Sequence, residues 1–159
     1  MDVEQFNERI LVPALKIIGL YSIGANVLML GTALIESDLV FIEQIGSGKG
    51  LGIYQIEPST YADLQRYLNR HENGRLKETC LSACFYHCYP SDDALVHNLR
   101  YATIMARIKY WMRPEPLPRQ DDAEAMSAYH KRFYNSMLGK TDPKSSVLIF
   151  ERVMSELKL

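Results

Sequence analysis

Apolar residues recur at steps of three and four along most of the chain, which is the helical period. Between residues 2 and 19, Phe6, Ile10, Leu11, Leu15 and Ile18 fall on one helical face. Ser22 reads as the cap of a second helix that ends near Glu36, and from Ile17 to Ile35 that region holds nineteen residues without a formal charge. Pro58 then opens a third helix through "STYADLQRYLNR", as proline does at a first-turn position. The periodicity predicts further helices over roughly 75–88, 92–112, 121–138 and 143–157. The fifth carries the stripe Leu95, Leu99, Ala102, Met105, Ala106, Ile108 and Met112. Two stretches break the period. Pro114, Pro116 and Pro118 forbid a helix in "RPEPLPRQ", and the glycine-rich residues 37–57 read as a loop with a small hairpin.

The expectation is a mainly α fold: one domain over residues 1–159, with about six to seven helices and an irregular segment at 37–57. A chain of 159 residues with 47% hydrophobic content can bury a core without a metal or disulfide. The uncharged run is long enough to be weighed as a membrane span, but Gly19, Ser22, Gly24, Asn26, Gly31 and Thr32 dilute it, so a buried central helix is expected and no stable membrane insertion. A formal net charge of −1 and a pI near 6.4 supply no field for a sequence-independent grip on nucleic acid or anionic membrane. The acidic amino terminus "MDVEQFNERILVPALK" lacks the pattern of a secretory signal, which points to synthesis in a cytoplasm.

Cys80, Cys84 and Cys88 stand four apart in "CLSACFYHC". On a helix they would share a face, but the spacing matches neither paired zinc ligands nor a cluster run. Small buried hydrophobes on a packed face are the expected reading, with reduced thiols and neither metal nor cofactor.

Chemistry is sought at the junction of the uncharged helix and the glycine loop, in "LMLGTALIESDL". A helix C-terminus disfavours an acid, yet the first charge after the run is Glu36. Set above apolar packing and facing a cleft, its carboxyl would resist ionisation, the property a proton donor needs. Alternatively Glu36 solvates the helix end and braces the loop.

Nineteen residues downstream stands "GIYQIEPST". "ALIES" followed by "GLGIYQIEPST" resembles the soluble lytic transglycosylases and goose-type lysozyme-like domains, in which a Glu-Ser pair ends a buried helix and a Gly-hydrophobic-Met-Gln-Ile segment follows. The resemblance implies a lysozyme-like α+β fold around a substrate cleft, with Glu36 as catalytic acid and Ser37 beside it. It further implies that Gly52, Tyr54, Gln55, Ile56 and Thr60 belong to the second, substrate-binding motif, together with Pro58. A third element, a Tyr-Asn pair near the last helix, is matched by Tyr134 and Asn135, with Tyr129 as a competing tyrosine. Tyr54 stands where the family carries methionine and Glu57 where it carries an apolar residue, while Ser47 is the candidate for the serine that precedes the second motif. "NLRYATIMARIKYWMRPEPLP" and "FYN…LGK" resemble a branch encoded by bacteriophages.

What the resemblance implies is cleavage of the β-1,4 bond between N-acetylmuramic acid and N-acetylglucosamine in peptidoglycan. The site would be the periplasm or cell wall, reached through a separate pore or as part of a virion with other phage or tail proteins. Glu36 would protonate the leaving oxygen, and either it would then draw a proton from the muramic C6 hydroxyl, or a second acid would activate water. Asp38, Glu43 and Glu57 are the possible second acids, each with a competing role as a solvated loop carboxylate. Gln55 is either a sugar ligand or a brace of the loop. Tyr134 either bonds Glu36 or substrate, or packs. Tyr110 and Trp111 either stack on a sugar face or, beside the proline run, cap the core, and His130 reads as surface polar. The competing function class is a non-catalytic structural component of a phage particle that keeps the fold.

Overall fold

A computed structural model describes residues 1–42, 49–134 and 143–159. Among these residues the chain is mainly helical and contains no strand. The predicted first helix is α1 (Val3–Phe6), a π turn (Asn7–Leu11) and α2 (Val12–Ile17). Pro13 explains the interruption, since it has no N–H for the carbonyl four residues back and its ring crowds that carbonyl. The wider turn just ahead of it takes up the misfit. Gly19, at φ +70, closes this end with bonds from Gly19 N to Lys16 O and from Leu20 N to Leu15 O, both 3.0 Å.

The uncharged run becomes α3 (Ile23–Ser37), capped by Ser22, whose hydroxyl accepts from Ala25 N at 3.0 Å. Every residue from 25 to 34 is buried, so α3 is the central helix. No helix among the described residues is long and apolar enough to cross a membrane. Past Glu57 at its N-cap, α4 (Pro58–Leu68) turns Tyr61, Leu64 and Leu68 inward. A short 3₁₀ turn leads into α5 (Gly74–Ser82), which ends six residues before the predicted boundary at 88. The chain leaves it through Phe85, in the left-handed region at φ 61. The cysteines therefore do not share a helical face. Cys80 and Cys84 are buried, with thiols pushed up by desolvation to about 12 and about 11, whereas Cys88 is exposed.

The predicted helix over 92–112 is split into α6 (Ala94–His97) and α7 (Leu99–Trp111). Asn98 makes the split: its backbone is extended, at φ −118 and ψ 92, and its side chain accepts from Tyr101 N at 3.0 Å as the cap of α7. α8 (Ala123–Phe133) is capped by Asp122, and α9 (Pro143–Glu156) packs across both α8 and α3. Between α3 and α4 a tight turn is pinned by one antiparallel bridge, Leu51 to Ile56, with N–H···O distances of 3.1 and 3.0 Å. That bridge is what the predicted hairpin amounts to among the described residues.

Where α3 and α9 cross, a Cβ on Gly31 would lie 2.2 Å from the Phe150 ring. Gly31→Ala is expected to cost about 1–3 kcal/mol by overpacking. In a Phe150→Leu background, urea unfolding should give a smaller cost; an equal cost in both would show that the ring is not the obstacle.

Candidate active site

α3 carries Glu36 and Ser37 to its very end, and the helix stops because Asp38 and Leu39 take left-handed backbone at φ 51 and 53. Ser37 Oγ lies 3.0 Å from Ala33 O and 2.7 Å from Ile53 O, so its hydroxyl fastens the helix end to the 51–56 turn. That turn is tightly specified. Gly52 sits at φ +69, donates to Ile42 O at 2.8 Å, and would place a Cβ 1.9 Å from Leu95 O in α6. Only glycine fits there. Gln55, itself at φ 46, donates from Nε2 to Gly52 O at 2.8 Å, so its amide braces the turn. Tyr134, just past α8, donates its hydroxyl to Tyr54 O at 2.6 Å. The segments around residues 36, 54 and 134 are thus tied together by two side-chain hydrogen bonds.

Behind Glu36 lies a polar cluster within the core. Glu36 is 18% exposed, and its Oε1 stands 3.3 Å from Nε2 of His130, which is 1% exposed. The other imidazole nitrogen, Nδ1, lies 2.9 Å from the Tyr110 hydroxyl and 3.3 Å from Thr32 Oγ1. Thr32 and Tyr110 are 2.8 Å apart, and Thr32 donates to Leu28 O at 2.7 Å. Positions 32 and 36 are one helical turn apart, as are 130 and 134. Two i, i+4 pairs, one on each helix, therefore face each other, with the His130 ring stacked on Tyr134 at 5.5 Å and 17°.

Lys109 supplies the site's cation. Its ammonium donates to Tyr134 O at 2.8 Å and lies 3.6 Å above the Tyr134 ring centre. Desolvation lowers its pKa to about 8, against the pull of Glu36, with Glu57 adding a smaller pull the same way. Burial, followed by the negative field of Glu36 and of neighbouring tyrosines, raises the Tyr134 phenol well above its ordinary value. Tyr110 is raised likewise, mainly by burial, and Glu36 adds to the shift. Both phenols stay neutral hydrogen-bonding groups.

The expected residues divide accordingly. Glu36 is accessible at its outer side, while Ser37 is buried and serves the scaffold. Tyr54 and Ile56, expected along a sugar groove, are core residues at 0% exposure, because the turn folds them inward against α6 and α7. Gly52 is buried as well, and Thr60 is half-buried in the first turn of α4. Tyr134 is buried at 6% and bonds the Tyr54 carbonyl rather than Glu36. Of the possible second acids, Asp38 is the exposed C-cap of α3 and Glu57 the exposed N-cap residue of α4. Glu43, Ser47 and Asn135 lie outside the described residues. Tyr110, expected to cap the core, lies inside it at 1% exposure, and Trp111 is half exposed beneath the Arg107 guanidinium.

His130 is the main correction. Expected at the surface, it is buried because a polar face of α8 turns toward α3 to meet Thr32 and Glu36. The signal available in the sequence was its four-residue spacing from Tyr134, matched by that of Thr32 from Glu36. Lys109 and Thr32 were missed too, since each sits within an otherwise apolar helical stripe. Comparison with protein family models, with curated proteins and with solved structures gives no match.

Lys109 has a measurable linkage. Below pH about 8 both states hold its proton and the folded chain bears the full desolvation cost; between about 8 and the ordinary 10.5 only the unfolded chain holds it, so stability rises with pH. The stability of the wild type relative to Lys109→Met is therefore expected to increase from pH 8 to pH 10 in urea unfolding. A difference that stays flat over that range would contradict the burial of the charge.

Proposed function

We propose that this chain cleaves the β-1,4 bond between N-acetylmuramic acid and N-acetylglucosamine in peptidoglycan, on a lysozyme-like fold, with Glu36 as general acid and then base. The observation that supports this most is the convergence at the end of α3. Ser37 bonds Ile53 O, Tyr134 bonds Tyr54 O, and Glu36 stands at the junction with one side accessible and the other on a buried imidazole. Those are the three elements through which the sequence resembles the lytic transglycosylases and goose-type lysozymes.

Glycoside cleavage requires a proton for the leaving oxygen and stabilisation of an oxocarbenium-like transition state. Glu36 delivers the proton. As a carboxylate it then takes one back, from the C6 hydroxyl of the muramic sugar in the transglycosylase route or from water in the hydrolytic one. The first route needs a single carboxylate. It fits the described residues better, because Asp38 and Glu57 are exposed residues at helix ends, away from the buried cluster behind Glu36. The Lys109 ammonium, which interacts electrostatically with Glu36, supplies positive field to hold the spent carboxylate ionised. The phage-like segments support a product that acts in the periplasm or cell wall, delivered by a separate pore or carried in a virion.

A structural role in a phage particle is the competing reading, and one observation favours it: the contact with His130 gives Glu36 a reason to exist without catalysis. Turbidity of a peptidoglycan suspension separates the two. The wild type is expected to clear it, and Glu36→Gln to slow clearing by about 100-fold or more while the melting temperature stays within a few degrees. A folded wild type inert on peptidoglycan from several sources would favour the structural role.

A further inference from the structure

The hydrogen bonds behind Glu36 can be followed proton by proton. Thr32 Oγ1 lies 2.7 Å from Leu28 O, and a carbonyl only accepts, so the threonine proton is committed there. Toward Tyr110, 2.8 Å away, Thr32 is then an acceptor, and Tyr110 places its single proton on that contact. His130 Nδ1 faces the oxygens of Tyr110 at 2.9 Å and Thr32 at 3.3 Å, neither of which has a proton left to give. Nδ1 must therefore carry the hydrogen itself. The opposite assignment, with Tyr110 donating to Nδ1, leaves two oxygens 2.8 Å apart in the core with no proton between them. Burial makes that expensive.

A neutral imidazole has one N–H, so with Nδ1 protonated its Nε2 is a bare acceptor. Nε2 is buried and has no hydrogen-bond partner among the described residues, where the polar atom it faces is Glu36 Oε1 at 3.3 Å. A bare nitrogen against an ionised carboxylate sets two lone pairs face to face in low dielectric. Resting on the glycosidase reading of Glu36, we infer that Glu36 and His130 share one proton, held between Oε1 and Nε2 and kept there by the Thr32–Tyr110 relay. The pair is neutral as a whole, either as acid and imidazole or as carboxylate and imidazolium. His130 is thus a positioning residue that keeps the acid loaded from within, where water does not reach.

Among the described residues, the polar groups facing His130 are Thr32 and Glu36 from α3 and Tyr110 from α7. The Tyr134 ring lies past the end of α8, with Lys109 over it, and α9 contributes the apolar Phe150 ring at 6.4 Å. The only carboxylate in this set is Glu36. After proton delivery the spent carboxylate faces a bare Nε2, and the pair is restored only when Glu36 takes a proton back from the C6 hydroxyl or from water.

Imidazole nitrogen correlation spectra of the full chain labelled with ¹⁵N-histidine test this near neutral pH. His71, His87 and His97 are exposed and serve as internal references for rings at the surface. His130 is expected to show a protonated Nδ1, and Thr32→Val, which frees the Tyr110 proton for Nδ1, is expected to move the hydrogen to Nε2. A bare Nδ1 in the wild type overturns the shared proton, as does a Thr32→Val ring that keeps its wild-type pattern. Both readouts come from the resting protein. An inert chain with Nδ1 protonated defeats the glycosidase reading and leaves the shared proton standing; an active enzyme with Nδ1 bare defeats the shared proton alone.

Discussion

A helix buried on every side leaves its polar atoms no water, and the two that α3 presents one turn apart, at Thr32 and Glu36, have to be met by protein. Much of the arrangement answers that constraint. α7 supplies the Tyr110 hydroxyl, α8 supplies the His130 imidazole, and both side chains are sealed from solvent. Glu36 stands at the boundary where the constraint relaxes. Its inner oxygen belongs to the cluster, and 18% of the side chain remains exposed.

The end of α3 is held in place as firmly as its middle. Left-handed backbone at Asp38 and Leu39 stops the helix, Ser37 ties it to the turn at 51–56, and Tyr134 ties that turn to the end of α8. The turn in turn leans on α6 through the close approach of Gly52 to Leu95. Residues expected to touch substrate, Tyr54 and Ile56 above all, work instead as the core side of this frame. A motif that resembles a binding signature can act by positioning one carboxylate, with its side chains turned away from the ligand. Local fixation of this kind is what an acid–base group needs, since a proton donor misplaced by an ångström loses most of its effect.

Much of the helical architecture was legible from periodicity and caps. Ser22 and Pro58 mark true helix starts, and the proline run at 114–118 marks a true break. What escaped were places where one residue overrides a periodic stripe. Pro13 widens the first helix into a π turn, and Asn98 caps a new helix inside an apolar repeat. The early end of α5 left Cys88 outside the core. Glu36 stood out because it is charged and follows an uncharged run. His130 and Lys109 did not, because their meaning depends on residues 94 and 73 positions from Glu36 in the chain meeting the end of α3, and such pairing leaves no local mark. Only the matching four-residue spacings of Thr32 with Glu36 and His130 with Tyr134 hinted at it.

The central claim is that Glu36 sits where it breaks a glycosidic bond. Mass spectrometry of the fragments released from purified peptidoglycan tests it most directly. Glycan chains with new N-acetylmuramic acid ends, in the anhydro form if the single-carboxylate route operates, and with intact peptide stems are the expected result. Glycan strands of unchanged length, or cuts confined to the peptide cross-links, would contradict it.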